Sequence, residues 1–141
     1  MSEIFVEKFR GLVPLYLEEP WQEADGIAMS DLDAVFAELN IIVPQALTEF
    51  LHAVGNCEEL MEAYYYFWDP EELEVEDGHL LFLEDEDEAY TWGIRADQVD
   101  VPDPIVWRRN NATGAWINEE GTFSEFVFDM LDWVFSDDDE D

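Results

Sequence analysis

The sequence predicts an α+β fold: a single domain with N-terminal helices, a central and mostly antiparallel sheet of five or six strands, and a C-terminal helix. Three observations predict it. Two stretches of helical period come first, Leu32-Val35-Phe36-Leu39 and Leu47-Phe50-Leu51-Val54. Short apolar or alternating runs parted by turn residues fill the middle, between Tyr64 and Ile117. A wide apolar face from Phe123 to Phe135 closes the chain. Helices, then consecutive strands, then a helix is the order of an α+β layer structure rather than a βαβ one.

Residues 1–29 carry the weakest signals. Ile4, Val6 and Phe9 fit a strand or a short helix, and Pro14 and Pro20 limit any helix. Extended or irregular chain laid over the domain is the expectation, with Trp21 packing back on the core. Ser30 reads as an N-cap with Asp33 three residues on, opening a helix to about Asn40. Pro44 suits the first position of the next helix, and Gly55 its stop. The aromatic block Tyr64 to Trp68 has high β-propensity, and Pro70 ends it. Leu73 and Val75 alternate with Glu74 and Glu76 as in a half-buried strand.

The centre of the chain is Leu73 to Ile94. Glu76-Asp77-Gly78 is a turn signal, Leu80 to Leu83 an apolar strand, Glu84 to Glu88 a block of five acids, and Ala89 to Ile94 a second apolar run. This reads as a hairpin at the middle of the sheet with a charged tip. Asp97–Pro104 is a turn region. Ile105-Val106-Trp107 and Ala115-Trp116-Ile117 are the next strands, joined through Asn110–Gly114. Thr122 and Glu125 fit a capping box for the last helix. Phe128 and Trp133 lie off its apolar stripe, which fits a helix buried on two sides, or a partner contact. Asp137 to Asp141 is a solvated acidic tail.

Composition bounds the function. At 141 residues the chain is one domain, and 48% apolar residues supply a core. The 37 acids face five bases, Lys8, Arg10, Arg95, Arg108 and Arg109, for a net charge of −32. That field repels nucleic acid and anionic membranes and attracts cations or a basic protein surface. Adaptation to a salt-rich source is the bland alternative. Cys57 is alone, so no intrachain disulfide forms, and the N-terminal segment has no apolar run of a signal peptide. No stretch approaches a membrane span. A cytoplasmic location is expected.

The search for chemistry leaves little. With 37 acids a glycosidase-like carboxylate pair could be drawn anywhere, so the signal carries nothing. Cys57 has His52 and His79 as possible partners and no orienting third residue. One Cys and two His are too few for a structural zinc site, and Glu84–Glu88 lacks the spacing and glycine of an EF-hand. No phosphate-cradling glycine loop is present. The expectation is a protein that is not an enzyme, with no cofactor and no metal. What remains is a binding module. Ten carboxylates fall within the 18 residues from Glu71 to Glu88. At a Debye length of about 8 Å such neighbours act together and steer a basic partner. The candidate binding residues are Glu71, Glu72, Glu74, Asp77, Glu84, Asp85, Glu86, Asp87 and Glu88, with Tyr64, Tyr65 and Tyr66 as possible contacts beside them. Trp92 is assigned to the core.

Several short motifs, in order, resemble the SUKH superfamily of SMI1/KNR4-like domains. They are Val43 to Leu51 through Gly55-Asn56, Glu76 to Phe82, Tyr90-Thr91-Trp92-Gly93-Ile94, Asp103-Pro104-Ile105-Val106, Trp116, and Phe123-Ser124-Glu125-Phe126. The resemblance covers roughly residues 30–135, leaving 1–29 as an extension packed on the domain and 136–141 as a tail. It implies an α+β fold without catalytic residues. It also implies a bacterial immunity protein that binds and neutralises a cognate toxin. The acidity points to a basic toxin acting on nucleic acid, a nuclease or deaminase, as the partner. An acidic DNA mimic or regulatory protein for a basic cellular partner is the alternative. The oligomeric state is not legible.

Overall fold

The structure, a computed structural model, describes residues 5–62 and 65–136. Tyr64 and the predicted acidic tail lie outside the described residues. The helices are α1 (Val6–Arg10), α2 (Leu12–Leu17), α3 (Met29–Leu39), α4 (Gln45–Val54), α5 (Glu58–Met61) and α6 (Phe123–Ser136). The strands are β1 (Tyr66–Phe67), β2 (Glu74–Glu76), β3 (His79–Glu84), β4 (Tyr90–Arg95), β5 (Ile105–Asn110) and β6 (Trp116–Thr122). The α+β architecture is as the sequence predicts.

The sheet is antiparallel throughout, in the order β1-β3-β4-β5-β6. Strands β1 and β2 share one edge of β3. β1 pairs with its C-terminal end through Phe67 and Leu83, and β2 with its N-terminal end through Glu76 and His79. A single 3₁₀ turn at Pro70–Glu72 joins the two short strands. β3 and β4 form the central hairpin. The β2–β3 turn is tight because Asp77 (φ 60°) and Gly78 (φ 73°) both adopt the left-handed conformation that a two-residue hairpin loop requires.

Four fully buried phenylalanines join the layers: Phe9 of α1, Phe50 of α4, Phe82 of β3 and Phe123 of α6. Their rings meet edge to face, Phe9 on Phe50 at 5.2 Å and Phe82 on Phe123 at 5.3 Å. Such pairs add about 0.5–1.5 kcal/mol each beyond burial. Leu80, Ile94, Val106 and Leu131 extend the same core. On the other face of the sheet His79 stacks on Trp116 at 3.6 Å, and the Arg109 guanidinium lies over the same indole at 5.6 Å. Trp92 is buried, as assigned.

The N-terminal segment departs from the expectation of extended chain. Residues 6–17 form two short helices, and Pro14 sits in the first turn of α2, where its missing N–H would have no intrahelical acceptor. The segment is also pinned. Glu49 of α4, only 3% exposed, accepts hydrogen bonds from the backbone N–H groups of Phe5 (2.7 Å) and Val6 (3.1 Å) and from Gln45 Nε2 (2.6 Å). Its charge thus stands at the start of α1. Trp21 donates to the Ala53 carbonyl at 2.6 Å and carries the Arg10 guanidinium at 4.3 Å, so it does pack back on the domain.

Other boundaries move by a residue or two. Ser30 is inside α3, whose N-cap is Ala28 and makes no side-chain cap. Pro44 is itself the N-cap of α4. Gly55 ends α4 without a left-handed turn (φ −62°). A Cβ there would lie 2.5 Å from the Leu51 carbonyl oxygen and 2.5 Å from Ile27 Cδ1. Close approach is what it provides. β2 is exposed along its length, Val75 included. The capping box of α6 forms as read, with Thr122 N–H on Glu125 Oε1 at 3.0 Å and Glu125 N–H on Thr122 Oγ1 at 3.4 Å. Phe128 stacks on Phe9 at 5.3 Å and gives α6 its second buried side, whereas Trp133 is 51% exposed.

Candidate functional site: an acidic hairpin and groove

The nine acids singled out from sequence do not form one patch. Glu84 ends β3, and Asp85 to Glu88 make the β3–β4 loop. Asp77 lies in the β2–β3 turn, at the opposite end of β3. Six strand residues span about 20 Å, well over the screening length of about 8 Å. Asp77 is also committed elsewhere, because Arg109 holds it at 3.4 Å and Glu76 at 3.6 Å. Glu71 lies in a separate hollow with Ile27, Asp31, Val35 and Asn56. Glu72, Glu74 and Glu84 do converge, on a groove of about 600 Å³ shared with Glu62, Tyr66, Trp68 and Asp69.

The tip is a held loop. Asp85 turns inward: its Oδ1 accepts the N–H groups of Ala89 (2.8 Å) and Tyr90 (3.3 Å), so this carboxylate serves the turn. Glu88 takes the left-handed conformation (φ 59°), and its N–H donates to the Asp85 carbonyl at 3.1 Å. Asn111, from the neighbouring β5–β6 turn, braces the loop by donating Nδ2 to the Glu88 carbonyl (2.8 Å) and to Thr91 Oγ1 (2.9 Å). Glu86, Asp87 and Glu88 are left exposed on a fixed backbone. Fixed charges lose little conformational freedom when a partner arrives.

The groove shows what crowding of carboxylates does. Burial, more than any neighbour, raises the Glu84 carboxyl above its ordinary range. The Trp68 indole N–H, 3.1 Å away, works against that rise, and Glu88, Glu72 and Asp85 add to it. Asp69 is likewise raised, first by burial and then by Glu72 and Glu71. Glu72 closes a reciprocal cap with Asp69, its Oε1 accepting the Asp69 N–H at 3.0 Å. Glu62 and Asp69 belong to the groove but were not singled out from the sequence. Their signal was position, one on each side of the aromatic block. Of the tyrosines, Tyr66 lines the groove at 37% exposure, and Tyr65 packs on Trp92 at 4.5 Å with the rings tilted by 41°.

All four arginines lie within 4.0 Å of a carboxylate, on Glu7, Asp97, Glu119, Glu76 and Asp77. None of those acceptors is in the groove or the tip. Among the described residues, Glu71, Glu72, Glu74 and Glu84 to Glu88 form no ion pair.

Cys57 is buried, and burial raises its thiol pKa, which leaves the less nucleophilic form at neutral pH. His52 Nδ1 lies 2.8 Å from the Ile27 carbonyl, and His79 is stacked on Trp116. Among the described residues no group of three His, Cys, Asp or Glu is placed to hold a metal ion. No helix there is long and apolar enough to cross a membrane. Comparison with known proteins finds no family model and no curated protein that matches the chain.

Proposed function

We propose that this chain is a protein-binding inhibitor that captures a basic protein domain on its acidic hairpin and groove. Following its resemblance to the SUKH superfamily, it acts as an immunity protein in the cytoplasm and neutralises a cognate toxin. The toxin class that fits best is a nuclease or nucleic-acid deaminase, whose positive groove for phosphates is complementary to a surface of carboxylates. One observation carries the reading. Among the described residues no cation is paired to the acids of the tip and groove, and the tip stands on a braced backbone, while every arginine is already paired. Charge left uncompensated on a rigid support is what steers a basic partner and speeds its docking.

Co-expression tests it. A basic toxin domain encoded beside this chain is expressed with and without it, and growth and complex formation are measured. Rescue together with a stoichiometric complex that weakens as salt rises is the expected result. No rescue, and no basic partner retained at low salt, would remove the proposal and leave the acidity to solubility. A complex with a cellular basic protein and none with the toxin would instead favour a regulatory DNA mimic.

A further inference from the structure

A further hollow lies between α6 and the edge strand β6. It encloses about 590 Å³, and its walls include Tyr65, Trp92, Phe126 and Trp133. Trp92 forms the floor: it is 2% exposed and sits against Tyr65 at 4.5 Å and Phe126 at 6.1 Å. Trp133 stands at the mouth, half exposed. Glu119, Glu120, Glu125 and Asp129 also line it, against the one guanidinium of Arg108, a balance of four negative charges to one positive, or −3. Arg108 already stacks on Tyr90 at 4.8 Å, and its Nε lies 3.8 Å from Glu119 Oε2, the oxygen that accepts the Trp92 indole N–H at 2.7 Å.

We infer that this cleft receives an arginine side chain projected by the basic partner. The inference rests on the partner being a basic protein, as proposed above. Charge decides against the other occupants. An anion would meet the net −3, and a purely apolar side chain would desolvate carboxylates without pairing them. A guanidinium is flat, stacks on indole and phenol faces, and directs its N–H groups outward in its own plane toward carboxylates. An ammonium is a compact, strongly hydrated charge that gains less from aromatic walls. The protein itself seats guanidinium groups on Trp21, Tyr90 and Trp116 at 4.3–5.6 Å. The cleft and the acidic groove are lined by residues that neighbour one another along the chain. Tyr65 lines the cleft and Tyr66 the groove, while Trp92 pairs with Leu83, the neighbour of Glu84.

The test titrates the full chain, ¹⁵N-labelled and at constant ionic strength, with N-acetyl-arginine methylamide, then with the lysine and glutamine analogues. The readout is the set of six indole N–H resonances, with Trp133 assigned through Trp133→Phe. The arginine compound is expected to shift the Trp92 and Trp133 signals saturably, at least fivefold more tightly than either analogue. Trp133→Ala and, separately, the surface change Asp129→Lys each weaken that binding at least fivefold. Glu125 is left intact because it caps α6. Equal response to glutamine or lysine, or an unchanged titration in Asp129→Lys, overturns the inference. If Asp129→Lys and Trp133→Ala still bind a basic partner with wild-type affinity, the cleft is excluded while the hairpin proposal stands.

Discussion

Replacing Glu49 by alanine is the most direct test of how the N-terminal segment is held. The carboxylate is buried and accepts three hydrogen bonds, two of them from the first turn of α1. Val6 is 1% exposed, so water cannot take over its N–H when the acceptor goes. A hydrogen bond to a charged acceptor is worth about 1.5–3 kcal/mol, and a buried donor left without one costs about 1–3 kcal/mol. Phe5 is only half-buried and regains water in part. Together with the smaller contribution of a negative charge at a helix start, roughly 0.3–1 kcal/mol, the loss is about 3–4 kcal/mol. For a chain of this size that lowers Tm by roughly 10 °C. Urea unfolding followed by tryptophan fluorescence reads it as a lower midpoint at unchanged slope. Glu49→Gln removes the same negative charge but keeps an acceptor oxygen, so it is expected to lose only about 1–2 kcal/mol. The difference between the two variants isolates the acceptor from any relief of the net −32 charge. A Glu49→Ala unfolding free energy within about 0.5 kcal/mol of wild type, or Gln as costly as Ala, would refute the reasoning.

Three further outcomes follow. Because Glu84 and Asp69 bind their protons more tightly in the folded chain than ordinary carboxyls, their contribution to stability is fully present below the usual carboxylate range. It is lost as pH rises through their raised values. The urea midpoint is therefore expected to be higher just above the ordinary carboxylate range of about 4 than at pH 8, and to rise with salt at pH 8 as self-repulsion is screened; a midpoint that falls on mild acidification would contradict this. Reversing Glu86, Asp87 and Glu88 together to Lys should slow association with a basic toxin domain tenfold or more at low salt, with the effect shrinking as salt is added. Stopped-flow rates equal to wild type would take the loop out of the interface. Gly26→Ala would place a Cβ 1.9 Å from the His52 carbonyl oxygen, a backbone atom that cannot swing away. A loss of roughly 2 kcal/mol or more is expected, and an unchanged melting temperature would show that the segment shifts freely.

Local signals were enough for most of the fold. The 3.6-residue spacing in 32–39, 47–54 and 123–135 and the turn residues Asp77-Gly78 report short-range geometry that each segment carries by itself, and the corresponding helices and hairpin are present. The capping box at Thr122 and Glu125 is likewise a contact between residues three apart. The N-terminal helices were not legible. Five- and six-residue helices are too short to stand alone in water. α1 depends on Phe9 entering the core and on Glu49, 43 residues away from Val6, holding its first turn. Pro14, taken from sequence as a limit, is harmless in the first turn of a helix.

The candidate site divides along the same line. The sequence alone determined that the protein is acidic, that its charge concentrates between Glu71 and Glu88, and that Glu84–Glu88 tip a central hairpin. These are properties of composition and of neighbours along the chain. Only the tertiary structure decided which carboxylates act together. Asp77 is carried to the far end of β3 and given to Arg109, Asp85 is turned inward, and Glu71 faces another hollow. Glu62 and Asp69 are brought in from outside the predicted set, and the aromatic cleft is assembled from four segments from Tyr65 to Trp133. The physical reason is range. Patterning reads interactions over a few residues, whereas electrostatic coupling depends on distance in space. That distance is set by strand pairing and by how the helices pack against the sheet.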